Sequence, residues 1–345
     1  MRRKAASMKI DLLMNISAFE NLQPEWNRLL NQSVSNTLFL TWEWQRTWWE
    51  HLGDGELRII TVREEDGTLI GIAPLFEETW KDGSTKSLSL IGCVDVSDYL
   101  DVIAARGHEE RVYAALLDTL TRAEFPAWNG GLHLCTLPED SPTNARLKAV
   151  ADARGLTTEW RLHDVSPVID LPATWEAYLE MLDKKQRHEV RRKLRRVEEA
   201  DHKWYTVDET MSIEQAIADF IDLHKKSRPD KHVFMDRRMQ QFFVDMARRL
   251  QPRGWLQLDF LEIAGARAAS ILNFVYQNDV LVYNSGYDPE KYGQYSPGIV
   301  LFAFSIQDAI AAHRRRYDFL RGDEAYKYRF GARDTRVYEL HIAKK

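Results

Sequence analysis

The chain has 345 residues, 44% hydrophobic and 29% charged, which excludes wholesale disorder and is enough for two packed domains. Against 52 Asp and Glu stand 47 Lys and Arg, a net charge of −5. That balance excludes a general nucleic-acid coat but leaves room for a local basic patch.

Apolar residues at helical spacing predict a helix over 19–33, through Leu22, Trp26, Leu29 and Leu30, and another over 41–52, through Trp44, Trp48 and Trp49. Strands follow at 57–62 and 69–76, joined by the turn Glu64-Glu65-Asp66-Gly67, and at 86–91. A helix over 109–123, a short strand at 132–135 and a helix over 141–154 come next. Ser141-Pro142 offers a capping hydroxyl and a first-turn proline, and Gly155 ends that helix.

The same order then recurs. A strand at 203–207 and helices over 213–227 and 237–250 precede three strands at 256–263, 267–276 and 280–285. Short turns at Ala264-Gly265-Ala266 and Gln277-Asn278-Asp279 make these an antiparallel meander. A helix over 297–313 and strands at 317–320 and 337–342 complete the chain. Two helices, three linked strands, a helix and a strand thus occur twice, which predicts two α/β domains, residues 8–164 and 165–345, with one continuous α/β domain as the alternative.

Between them runs a segment with Lys184, Lys185, Arg187, Arg191, Arg192, Lys193, Arg195 and Arg196, opposed only by Glu189. Met181, Val190, Leu194 and Val197 give it a narrow apolar stripe. Two readings stand: a solvated helix with Glu198, Glu199 and Asp201 beyond it, or a site for a polyphosphate ligand such as coenzyme A or an RNA end, with Arg191 and Arg195 as its candidates.

Cys93 and Cys135 are too few for a disulfide scaffold or a cysteine-rich zinc site, as fits a reducing compartment. No apolar run approaches the ~20 residues that cross a bilayer. After the basic start Met1-Arg2-Arg3-Lys4, Asp11 and Asn15 interrupt the chain before a secretory apolar region develops. A cytoplasmic protein without membrane insertion is expected. Phosphate-loop, dinucleotide-binding, H-E-x-x-H and nucleophile-elbow motifs are missing, and His188, His202, His224, His232 and His313 lack metal-ligand spacing, so no metal is expected.

The chemistry concentrates in 284–331. After a strand, Gly293, Gln294, Tyr295, Ser296 and Gly298 form a loop that enters a helix, with Ser296 as its cap and Pro297 in its first turn. A glycine-bearing loop at a helix start binds pyrophosphate through backbone amides. Downstream, charged, aromatic and glycine residues interleave from Tyr317 to Gly331, the pattern of a cleft wall. There Lys327 is placed to polarise a carbonyl or hold phosphate, and Asp318 or Asp323 to accept a proton.

Two motifs, Tyr287-Asp288-Pro289 with Ser296-Pro297-Gly298, and the run from Asp318 to Gly331, resemble the GNAT superfamily. They are similar to its cellulose-biosynthesis-type (CelD/BcsL-like) acetyltransferase branch. Phe39-Leu40-Thr41-Trp42-Glu43-Trp44, Gly71-Ile72-Ala73-Pro74-Leu75 and Ser97-Asp98-Tyr99-Leu100-Asp101 extend the likeness over nearly the whole chain. The resemblance implies tandem GNAT-like domains related to Fem-type peptidyltransferases, with the reacting site in the second, facing a cleft between the two. It also implies transfer of an acyl group, acetyl first, from acyl-CoA to an amine in cell-envelope or exopolysaccharide metabolism. Tyr287 or Tyr326 would supply a proton, and Asp323, with Asp98 from the first domain, would orient the nucleophile. Residues 292–298 depart from the usual Q/R-x-x-G-x-G/A loop. That leaves an aminoacyl-tRNA donor as the alternative, beside a non-catalytic partner role in a polysaccharide system.

Overall fold

The computed structural model describes residues 8–93, 96–123, 125, 126 and 128–344, so the basic amino terminus lies outside it. The chain divides into two compact units, Met1–Asp164 with Arg336–Lys345, and Val165–Thr335.

The first unit opens with β1 (Lys9–Leu13), α1 (Ser17–Leu30) and α2 (Trp42–Leu52). α1 buries Phe19, Leu22, Trp26, Leu29 and Leu30, the stripe its spacing predicts. The Thr41 hydroxyl starts α2 by accepting from the amide of Trp44. Each of the next two predicted strands is broken. Arg58, buried between the carboxylates of Glu56 and Glu77, separates β2 (Glu56–Leu57) from β3 (Ile59–Arg63). Pro74, which has no amide hydrogen, separates β4 (Leu69–Ala73) from β5 (Leu75–Thr79).

Then come β6 (Lys86–Leu90), β7 (Ile103–Ala104), α3 (Glu109–Leu120), β8 (Leu132–Pro138) and α4 (Arg146–Ala153), and β9 (Thr157–Asp170) leads onward. Ser141 caps only the short 3-10 turn Pro142–Asn144, so α4 starts later than Ser141-Pro142 suggested. One sheet has the antiparallel order β1-β3-β4-β7. Elsewhere β6 pairs antiparallel with β5 and parallel with β8. The last strand of the chain pairs antiparallel with β8, which explains why Arg336–Lys345 group with the first unit although their place in the sequence puts them with the second half.

The cysteines need a correction. Cys93, just past β6, and Cys135, on β8, are joined in a disulfide with Cα atoms 5.9 Å apart. They are 42 residues apart in sequence, and only the parallel β6–β8 pairing brings them together.

The second unit runs α5 (Trp175–Met181), α6 (Lys184–Glu198), β10 (His202–Thr206), α7 (Ile213–Ser227), α8 (Pro229–Phe234) and α9 (Arg237–Leu250). It continues with β11 (Leu256–Ile263), β12 (Ala266–Tyr276), β13 (Asp279–Tyr287), α10 (Pro289–Tyr292), α11 (Pro297–Ala311), β14 (Arg316–Asp318) and α12 (Ala325–Arg329), and β15 (Arg333–Ala343) is the returning strand. Its sheet is antiparallel from β10 through β13, parallel between β13 and β14, and antiparallel from β14 to β9. α11, whose one charged residue is Asp308, buries Val300, Leu301 and Ile306 with Ile271, Val280 and Tyr317 of the sheet. Among the described residues no helix is long and apolar enough to cross a membrane.

Candidate functional site

β13 and β14 pair only over Asp279–Leu281 and Arg316–Asp318. β14 then stops, and β13 runs on to Tyr287 without a β14 partner among the described residues. A bulge in the β12–β13 register sets Asn273 opposite Val282 and Leu272 opposite Asn284, so Tyr283 is the extra residue. Tyr283 and Asn284 consequently share a face. The Tyr283 ring lies 5.8 Å from that of Phe243 on α9, and Asn284 Oδ1 is 3.0 Å from His224 Nε2 on α7. Past the bulge, the Ser285 carbonyl lies on the open edge and accepts from Lys231 Nζ on α8.

The loop beyond β13 leads to the start of α11. Asp288 caps α10, its Oδ1 accepting from the Lys291 amide at 3.0 Å. Ser296 does not cap α11 as its sequence position suggested. Its backbone is left-handed, φ 52°, which turns the side chain from the helix, and the hydroxyl receives Lys193 Nζ instead. Arg196 Nη1 donates to the Gln294 carbonyl at 3.0 Å. The basic helix α6 and the loop are therefore one assembly, held by Lys193 and Arg196. Arg191 and Arg195, the candidates chosen from the sequence, lie one turn apart on the exposed face of α6. Gly293 and Gln294 are exposed, while Tyr295, Ser296 and Gly298 are half-buried. Tyr287 lies over Gly298: a Cβ there would stand 3.4 Å from the tyrosine ring.

Lys327 pairs with Glu324 and not with Asp323. Residues Ala325–Arg329 are helical, and that single turn aims Lys327 back at the preceding loop. Its ammonium, with the residue 2% exposed, donates to the carbonyls of Leu320 (3.1 Å), Arg321 (2.7 Å) and Gly322 (3.0 Å) and pairs with Glu324 at 2.9 Å. The turn it holds contains Leu320 at φ 58°, a left-handed backbone that costs a leucine about 1–2 kcal/mol. Lys327 is thus engaged with the loop, and Asp323 is exposed beside it. Tyr326 packs its ring on Phe302 and Phe319, centroids 5.2 and 6.0 Å away, and desolvation, then Glu324, raises its phenol pKa. Asp318 Oδ1 accepts from the Leu320 amide at 2.7 Å, so this carboxylate also shapes the turn. Asp98 is half-buried in the first unit, between β6 and β7.

In the sequence Lys231 is one more charge among Lys225, Lys226 and Arg228. The available signal is Pro229, which breaks the helical run and starts α8 with Arg228 extended. Burial, then the Arg228 cation, lowers the Lys231 pKa to about 8. Burial, then Lys231, lowers that of the 1% exposed His224 to about 4, so its imidazole is neutral.

A strand, a crossover helix and a parallel strand that parts from the first make a recognisable frame. Residues 184–328 match the family model described as an acetyltransferase (GNAT) domain. The fold is GNAT-like. Among solved structures the chain is similar to FemX, with 12% identity, 93% of this chain and 96% of that one covered, and a TM-score of 0.65. It is also similar to L-PGS from Bacillus licheniformis, with 10% identity, coverage of 92% and 91%, and a TM-score of 0.56. A third similar structure is the C-terminal domain of a putative lysylphosphatidylglycerol synthetase from Agrobacterium fabrum, with 10% identity, coverage of 94% and 92%, and a TM-score of 0.54. No curated protein matches. The GNAT-like frame occurs in both units, as β6–α3–β8 and as β13–α11–β14. In the first, the Cys93–Cys135 disulfide ties the parallel strands where those of the second part.

Proposed function

We propose that the chain is an acyltransferase that moves an acyl group, acetyl first among them, from acyl-CoA to an amine. The observation that carries this is the open edge of β13 leading directly to the α11 start with Lys193 and Arg196 beside it. An extended amide-bearing arm adds to an unpaired strand edge as another strand would. The donor's pyrophosphate is then received by the Gly298 amide, the helix dipole and the α6 cations. The carbonyl lies along β13 for attack, and no covalent enzyme intermediate is required. Tyr287, at the junction of edge and helix, and Tyr326 are the proton donors of this reading. The acceptor belongs to an amine class, and a cell-envelope or exopolysaccharide precursor fits the branch that the motifs resemble.

A second donor, aminoacyl-tRNA, is favoured by one feature: Lys184, Lys185, Arg191 and Arg195 leave a basic face of α6 exposed. Thermal denaturation of the full chain with coenzyme A, acetyl-CoA or aminoacyl-tRNA, each at low and high salt, separates the readings. A ligand of the native state raises the transition by mass action, about 2.7 kcal/mol at a hundredfold excess over Kd. The acyl-CoA reading expects stabilisation by acetyl-CoA. Stabilisation by aminoacyl-tRNA alone, lost at high salt, selects the second donor. No shift with any ligand contradicts both.

A further inference from the structure

Lys231 stands where the two parallel strands part. α8 carries it between α7 and α9, and its Nζ donates to the Ser285 carbonyl on the open edge of β13. On its own element it faces Arg228 and Asp230, which bind each other at 3.0 and 2.9 Å. From the loop before α12 it faces Glu324, whose carboxylate is held by Lys327 at 2.9 Å. From α7 it faces His224, which is neutral and bound to Asn284. Both nearby carboxylates are therefore engaged by other cations, and the only hydrogen bond that Lys231 makes among the described residues is to a peptide carbonyl. Ser285 is two residues before Tyr287, so Lys231 reaches the same edge about 7 Å along the strand from the ring that covers the α11 start.

Resting on the acyltransferase reading, we propose that Lys231 is a catalytic residue, the amine that accepts the proton of the attacking nucleophile. The acceptor nitrogen forms a bond to the donor carbonyl carbon, the carbon–sulfur bond breaks, and its electron pair leaves on sulfur. The acceptor's proton passes to neutral Lys231 Nζ, while the Tyr287 phenol gives its own proton to the thiolate. Lys231 then releases its proton to water as Tyr287 is reprotonated, so coenzyme A leaves as the thiol and both side chains end as they began. A base is most effective when it titrates near the working pH, and a desolvated lysine is suited to that task. The lowered pKa, about 8, agrees with the geometry.

The deciding experiment is pulse labelling of the wild-type chain with acetic anhydride across pH 6–11, with and without coenzyme A, read by mass spectrometry. Calorimetric titration of coenzyme A runs in parallel. The proposal expects Lys231 to titrate near pH 8 and to be shielded by coenzyme A. A midpoint above 10, or no shielding in protein that binds coenzyme A, overturns it. Failure of the wild type to bind coenzyme A overturns the donor reading instead. A kinetic arm uses acetyl-CoA with glycinamide as the probe amine and the variants Lys231→Arg and Lys231→Met. Arginine keeps the charge and the bond to Ser285 but cannot act as a base, so both variants should lose about 10²-fold in kcat and the alkaline-rising limb near pH 8. Wild-type turnover in Lys231→Arg would assign Lys231 to structure and overturn the proposal.

Discussion

At Gly286 one methyl group separates a packed unit from a disrupted one. A Cβ there would meet the His224 backbone nitrogen at 2.2 Å and its Cα at 2.5 Å, because α7 lies backbone-to-backbone on β13. Gly286→Ala should therefore push α7 off the sheet and cost about 1–3 kcal/mol, seen as a lower midpoint in urea denaturation. An unchanged midpoint would contradict that packing. Asp259 permits a pH test. It is fully buried on β11, accepting from Thr206 (2.6 Å) and Gln257 (3.0 Å), and burial raises its pKa to about 7. Between pH ~4, where an unfolded aspartate ionises, and about 7, the folded chain holds a proton that the unfolded chain has lost. Its contribution to stability must fall as pH rises through that window and level off above it. Asp259→Asn should flatten this part of the stability–pH curve, and an identical slope in the variant would rule out the assignment. Individual residues were also the least legible in sequence. Lys327 and Asp323 were visible as candidate reactive residues, but a short helix and a left-handed leucine decide which carboxylate the lysine meets. Ser296 has the residue type of a cap, and only its φ shows that it is not one.

Elements with strong period were legible: α7 and α9 begin and end where their apolar spacing does, and β11 matches its predicted span. Others had little signal. β9 carries exposed charges along its first half and Pro167 within it, and α8 has no buried residue to set a period. The α6 helix was legible as an element, but which side of it served the loop was not. Its apolar stripe, Val190, Leu194 and Val197, packs down and brings Lys193 and Arg196 to residues 293–296. Lys193→Ala and Arg196→Ala should each weaken coenzyme A binding about tenfold, the scale of one charge-assisted hydrogen bond. Arg191→Ala and Arg195→Ala should change it less than twofold. Calorimetry in which the exposed pair matters more than the loop pair would move the phosphate to the outer face. Gly298→Asp belongs beside them. Its φ is not left-handed and an acidic residue suits a helix start, so the variant should fold normally while repelling the donor phosphate.

On the scale of the whole molecule, the repeat of element order was legible because each half carries its own helices, meander and crossover. The route of the last strand was not, since pairing of β15 with β8 joins segments about 200 residues apart in sequence. Nor was the disulfide, which needs β6 and β8 side by side before the cysteines are neighbours. The two frames differ where it matters: strands tied in the first unit, parted in the second. Under the proposed function the donor binds the second unit, on the β13 edge and the α11 start. Hydrogen–deuterium exchange of the full chain with and without acetyl-CoA tests this most directly. The predicted result is slowed exchange in peptides covering 282–300, with no change at 86–101. Unchanged exchange at 282–300, or protection confined to the first unit, would contradict it.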